Sequence, residues 1–586
     1  MATTDTAQPE NPVTEPRSLR QRLGADIETV GVAPVPEAQR TMTPGKMFIV
    51  WLMASASATT PLIGFLLFHY GLAYMIAAIV VAFLIGAIPA GLFSEMGRQV
   101  PLTALVVARK TFGWDGSLLF SALFTVVNLG WFGLNTEIGA SILAAITHSS
   151  TYLWDVIVGG TEIILVLYGM KWLERFYRYT SGVLIVCYLA LTIYLVTHYT
   201  LHYPKQTVPM NWGTALTIVL TFSLLAWTYK LSTTSRFAVP SAKTGGTKAS
   251  YFLVPSVGIM LAVLVLGVVG SYSQQATGSW NIALLGAHIS GWGFVAALGA
   301  ALAVLHTNAM NLYPSTVDLL VVLNNVRKPM RWEQPLATII LGIGGILLAI
   351  AGIVQHVSTL LNDAGDVIIP FTFVMLVDWI YVQRRRTAVQ VFFEQPQGRA
   401  GRIVPSAIAA VLVGFIIGYW GNHFLPGFFY NTLPLPVVGG VVAAVLYAAA
   451  ARIWPRTLAA AGPSQPVVLQ RSPVVHSTDP QCRARTRTPS LVWCFLCPSG
   501  CSPVRADQAL DGLPAFDPGG HIDGLTGLVQ RRSLFPATVR SMFVVVLRVL
   551  SEDLPQMQLQ FVEDRGDLRA EVERAIELTL QCAALT

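Results

Sequence analysis

Residues 128–139 read NLGWFGLNTEIG and lie inside a longer apolar stretch, Leu118–Ile146. At 1.5 Å per residue, a helix of that length crosses a hydrocarbon core of about 30 Å. Its middle is not plain lipid-facing filler. Gly130 and Gly133 thin the helix surface, and Trp131 and Asn135 stand four apart on one face. Glu137 adds an ionisable group that is costly in hydrocarbon. A flat aromatic one turn from an amide can stack a planar ring and bond its polar edge. The same pair can equally serve as helix packing with polar glue. What stands at the same depth elsewhere in the chain decides between the two.

The whole chain has the composition of that stretch. Of 586 residues, 53% are hydrophobic and 12% charged, about half the charge of an average soluble domain, and the mean hydropathy is +0.58. This is an all-α polytopic membrane protein rather than a large soluble enzyme. No nucleophile–base pair, metal-ligand motif or phosphate loop points to catalysis, so no enzymatic activity is expected. The net charge of +7 follows from where the basic residues sit and calls for no nucleic-acid partner. Residues 1–46 form a polar tail, expected on the cytoplasmic side. Of six cysteines only Cys187 lies in the apolar body, so no disulfide framework is expected.

Twelve apolar segments follow the tail, at 47–67, 72–93, 117–146, 153–170, 178–198, 213–237, 251–271, 291–323, 336–356, 366–383, 404–421 and 434–453. Pro, Gly and charge clusters separate them. Backbone polar groups must be satisfied inside lipid, and the absence of strand-like alternation makes each a helix. Basic residues fix the orientation. With the N-terminus inside, the cytoplasmic loops hold Arg98, Arg109 and Lys110; Lys171, Arg175 and Arg178; Lys243 and Lys248; Arg327, Lys328 and Arg331; and Arg384, Arg385 and Arg386. The outer loops hold only Lys205. Both termini are therefore expected in the cytoplasm, with the protein in the plasma (inner) membrane.

Three more spans carry polar groups near mid-depth. The first, WLMASASATTPLIGF (51–65), runs through Ser55 and Ser57 to Thr59, Thr60 and Pro61. Pro61 removes a donor, which predicts an unwound stretch. The sixth, LTFSLLAWTYKLSTTSRF (220–237), places Trp227 near its middle and Arg236 at its inner end. The eighth, AVLHTNAMNLYPSTVDLL (303–320), holds His306, Thr307, Asn308 and Asn311. The first and sixth spans are equivalent if the chain is two five-helix repeats, and interrupted helices at equivalent positions point to a transporter's substrate site. Four such spans at one depth favour the binding role for Trp131 and Asn135.

Six strings in order carry a family resemblance: IETVGVAPVPEAQRT (27–41), ARKTFGWDGS (108–117), NLGWFGLNT (128–136), WTYKLSTTSRF (227–237), HTNAMNLYPS (306–315) and VDWIYVQRRR (377–386). Over about residues 26–453 the chain resembles the nucleobase–cation symporters that include the cytosine and purine permeases. The resemblance implies a five-plus-five inverted-repeat core, like that of the bacterial leucine transporter, with two extra helices. It implies uptake of a planar nitrogen heterocycle, cytosine or a purine first, with allantoin, hydantoin, a nucleoside or thiamine as alternatives. By position, Trp131 and Trp227 would sandwich the ring, and Asn135, Asn308 and Asn311 would bond its edge. A sensor that binds without transporting is the reading from another class.

The resemblance implies no cofactor beyond a coupling ion, H⁺ or Na⁺. The family's Na⁺ site would fall on first-span backbone near Ser55 and Ser57 and on Ala303, His306 and Thr307 of the eighth. Hard cations take oxygen ligands, and of those eighth-span side chains only Thr307 offers one. The hypothesis is H⁺ coupling, with His306 or Glu137 titrating; the competing reading, placed ahead of it, is a His306 that hydrogen-bonds a neighbouring backbone carbonyl and never changes charge. The expected partners are the heterocycle and the lipid bilayer; oligomeric state is left open. Among the remaining acidic residues, Glu162 is expected to pair with a polar neighbour or lie near the interface, and Asp318 and Asp378 to tie helix ends to nearby arginines.

From Arg456 the composition shifts to Pro, Ser, Arg and Cys. Cys494, Cys497 and Cys501, with Cys482 upstream and His476 and His521 near, fit no standard zinc-knuckle spacing. Residues 454–586 are expected to be a C-terminal extension extraneous to transport.

Overall fold

The computed structural model describes residues 27–453 except 29, 203, 241–247, 288–290, 327–329, 331, 354–356, 385–387 and 397–400. The extension 454–586 with its cysteines, most of the N-terminal tail, and Lys243, Arg327, Lys328, Arg331, Arg385 and Arg386 of the basic loops lie outside the described residues.

Each of the twelve apolar segments is helical. Among the described residues, ten helices are long and apolar enough to cross a membrane. The other two segments are the first, which is split into Pro44–Ser55 and Leu62–Leu67, and the fourth, Thr151–Leu167, of 17 residues. Local chemistry starts the broken spans. Thr43 caps the first helix by accepting from the Lys46 amide, with Pro44 at its first position. Asn211 caps the sixth span by accepting from the Thr214 amide at 2.9 Å. Large apolar side chains such as Val186, Leu189 and Val196 of the fifth span and Leu412 and Ile416 of the eleventh are exposed, as lipid-facing residues must be.

Contacts between helices follow a two-fold pattern. The second span packs on the seventh, the third on the eighth, and the fourth on the ninth. The first packs on the seventh, and the sixth correspondingly on the second. The first also meets the fifth, and the sixth meets the tenth. Exchanging span k with span k + 5 maps this set onto itself, and five crossings reverse direction, so the repeats are inverted. The eleventh span, Pro405–Phe424, and the twelfth, Leu435–Ile453, pack together and onto the tenth, outside the repeat.

Several details differ from the sequence reading. The fifth helix, Gly169–His198, begins nine residues early, so Lys171 and Arg175 ride on its first turns rather than in a loop. ARKTFGWDGS includes part of a short buried helix, Ala104–Thr111. Among the described residues, neither buried aspartate binds an arginine. Asp318 accepts from the Asn128 amide at 3.2 Å, and Asp378 accepts from the Thr111 and Tyr447 hydroxyls at 2.8 and 2.7 Å. Amides and hydroxyls satisfy a buried carboxylate without the second desolvation that an arginine brings. Glu162 does pair with polar neighbours, accepting from Asn308 Nδ2 at 3.1 Å.

Candidate functional site

The two broken spans meet at a cavity. The first span stops at Ser55 and resumes at Leu62, and its exposed carbonyls are each accounted for. The Ala56 amide serves Leu52 and Met53; the Thr307 hydroxyl donates to the Ala54 carbonyl at 2.7 Å; the Thr60 hydroxyl donates to Ser55. These are the orphan acceptors of a helix C-terminus, two satisfied by a backbone amide and two by side-chain hydroxyls. The sixth span breaks at Ser223 (φ −130°, ψ −105°), whose hydroxyl donates to the Val219 carbonyl.

Trp131, Asn135, Phe222, Trp227, Lys230 and Asn311 line the cavity, together with Ser55, Ser57, Thr59, Thr60 and Thr307 around the first break. Trp131 stands edge-to-face against Phe222 at 6.1 Å, and Trp227 against Trp51 at 5.6 Å. Asn135 Oδ1 lies 3.1 Å from both the Ser57 and Thr59 hydroxyls, while its Nδ2 donates to the Trp131 carbonyl at 2.8 Å. The amide thus clamps the first-span break to the third span. The cavity measures about 30 Å³. That is room for water and far below the few hundred Å³ of a ligand pocket, so a ring system enters only when the walls part.

Of the residues singled out from the sequence, Trp131, Asn135, Trp227, Asn311, Ser55, Ser57 and Thr307 meet here, and three do not. Asn308 turns into the interface of the third and fourth spans, donating to the Phe132 carbonyl, Thr136 and Glu162. The His306 ring sits among Phe176, Tyr177 and Thr180 of the fifth span, with Nε2 2.6 Å from the Thr180 hydroxyl. Its backbone carbonyl accepts from the Tyr177 hydroxyl. Glu137 lies near Gly352, at the end of the ninth span.

Sequence reasoning passed over Lys230. It stands three residues after Trp227 in an apolar span, and a charge at that depth is itself a signal. Its Nζ donates to Asn311 Oδ1 at 3.0 Å and rests 4.4 Å from the centre of the Trp227 ring.

The comparisons with known proteins agree with this architecture. The chain is 23% identical to a hydantoin permease of Microbacterium maritypicum over 404 residues, covering 64% of this chain and 79% of that one. It is 25% identical to the purine-cytosine permease fcyB of Emericella nidulans over 368 residues, covering 58% and 71%. Among solved structures, it superposes with a TM-score of 0.63 on Mhp1, a nucleobase-cation-symport-1 family transporter in a closed conformation with bromovinylhydantoin bound. That match is 21% identical and covers 73% of this chain and 95% of Mhp1. The fold is accordingly the inverted-repeat transporter fold. Residues 34–442 match the family model described as permease for cytosine/purines, uracil, thiamine and allantoin. A match over that length places the chain in the cytosine/purine permease family.

Proposed function

We propose that this protein imports a planar nitrogen heterocycle, a nucleobase such as cytosine or a purine, by cation symport across the plasma membrane, with both termini in the cytoplasm. One observation carries the reading. The cavity between the two broken spans has two indoles, Trp131 and Trp227, and two amides, Asn135 and Asn311, in its wall. Indole faces suit a heteroaromatic ring, and amides both donate and accept at its edge. A site of this kind rejects analogues lacking the matched group, because its own polar atoms are then left unpaired. Hydantoin, named for one relative and present as its bromovinyl derivative in one solved structure, is the second substrate to test.

Coupling belongs to the same reading. The Ala54 carbonyl and the hydroxyls of Ser57 and Thr307 gather oxygen at the C-terminal end of the first half-helix, where the dipole favours a cation. His306 and Glu137, the proton candidates, stand outside the cavity, so the oxygen cluster supports a monovalent cation at the break.

The test is uptake of labelled cytosine and hydantoin in cells lacking their own permeases. Wild type runs beside Trp131→Ala and Asn135→Ala, with Na⁺ present or replaced and at two pH values. Uptake lost in both variants and dependent on one cation supports the proposal. Saturable binding with no uptake under any condition overturns symport in favour of a sensor.

A further inference from the structure

We infer that the substrate is bound as an anion, with the Lys230 ammonium as its counter-charge. The inference rests on the heterocycle reading above and narrows its substrate class. Lys230 is 3% exposed, projects from the sixth span into the cavity wall, and has no carboxylate oxygen within 4.0 Å among the described residues. The acidic group nearest in effect is Asp318 of the eighth span. That carboxylate bonds Asn128 rather than Lys230, feels the charge of Lys230 ahead of that of Arg236, and does not line the cavity. Burying an ammonium with no carboxylate in contact is costly, so a lysine in a cavity wall calls for a function.

The surroundings hold the charge in place rather than cancel it. Asn311 turns its carbonyl oxygen to Lys230 and its amide nitrogen to Asn308 Oδ1 at 3.2 Å. Asn308 in turn directs its nitrogen to Glu162 Oε2. Both amides are thereby oriented by a carboxylate at one end and an ammonium at the other. One of the three Lys230 donors is taken by Asn311, and the charge rests on the Trp227 ring. The remaining donor capacity has no acceptor among the described residues, and Lys230 lines the cavity together with Trp131, Asn135 and Phe222. A ring stacked between the indoles would meet this cation at its edge. A neutral ring brings no charge to the ammonium's cavity side. A ring bearing a carboxylate, or one ionised at an acidic ring N–H, completes it with a charge-assisted hydrogen bond.

Two matched pairs separate these sources: uracil with its 6-carboxylate, orotate, and hypoxanthine with urate, which ionises on the ring. Binding to the purified full-length protein is read by quenching of tryptophan fluorescence at neutral pH. Wild type is expected to bind the anionic member of at least one pair about tenfold more tightly, the margin of a charge-assisted over a neutral hydrogen bond. Lys230→Met is expected to erase that preference, and Lys230→Arg to keep it. Lys230→Gln replaces the methionine variant if the latter does not fold. Preference for the neutral member in both pairs by wild type overturns the inference, as does a preference for the anion that survives loss of the lysine. If neutral rings bind and anionic ones do not, the heterocycle reading stands and only the charge assignment falls. If no ring binds, both fall.

Discussion

Glu28 ties together four parts of the bundle at the end that carries the basic loops, and its replacement tests whether that end is locked. Its Oε2 accepts from the Met170 amide at 2.7 Å, where the fourth span turns into the fifth. Its Oε1 accepts from the Tyr313 hydroxyl of the eighth span at 2.7 Å and from Gln334 Nε2 of the ninth at 3.2 Å. Arg236 of the sixth lies 3.8 Å away and separately donates to the Gly31 carbonyl, ahead of the first span, at 2.7 Å. Hydrogen bonds to a charged acceptor contribute about 1.5–3 kcal/mol each, but they are not additive here. Arg236 keeps the Thr233 carbonyl, the Gly31 carbonyl and the Tyr313 hydroxyl when Glu28 is gone, so it is not orphaned. The expected cost of Glu28→Ala is therefore about 3 kcal/mol, the low end for breaking one side of a buried pair. Glu28→Gln should recover little of it. Both Glu28 oxygens face donors, so either orientation of the new amide turns its NH₂ against a donor. The assay is thermal unfolding of the purified protein in one detergent, with both variants beside wild type. An unchanged midpoint for Glu28→Ala, or full recovery in Glu28→Gln, refutes the reasoning.

Other consequences follow from the same packing. Thr307→Val removes the donor to the Ala54 carbonyl and leaves a buried acceptor unpaired, at a cost of about 1–3 kcal/mol. Uptake measured against cation concentration should lose its saturable dependence in Thr307→Val and keep it in Thr307→Ser. In Gly270→Ala the added methyl would overlap the Pro61 backbone, where the seventh span crosses the first-span break. Overpacking of that kind costs about 1–3 kcal/mol, whereas Gly182→Ala, with open space at its Cβ, should leave the unfolding midpoint at or above wild type. Ending the chain after Arg456 should leave uptake unchanged, and loss of uptake would give the extension a role.

The span order and the first break were legible because they rest on local chemistry. Apolar length sets a helix, and Pro61 next to a run of hydroxyl residues announces an interruption. The sixth-span break was not legible in the same way. No Pro or Gly flanks Ser223 in LTFSLLAW, so its position rests on packing rather than on the residue itself. The eighth span shows the second limit. Depth can be read from position along an apolar run, but facing cannot, because neighbouring polar residues leave a helix in different directions. His306, Thr307 and Asn308 are consecutive, yet they reach the fifth span, the first-span break and the fourth span respectively. Reading them as one group assigned the histidine and Asn308 to a cavity that only Thr307 enters. Lys230 was missed for the opposite reason. Attention to WTYKLSTTSRF as a whole string favoured its tryptophan, while an elementary cost argument already marks any lysine one turn away at that depth. The chain from Lys230 through Asn311 and Asn308 to Glu162 needs the fourth, sixth and eighth spans brought together. Each charged end is visible in the sequence as an expense; only the packed helices show that two amides hold them apart, one end at the cavity and the other sealed in the bundle.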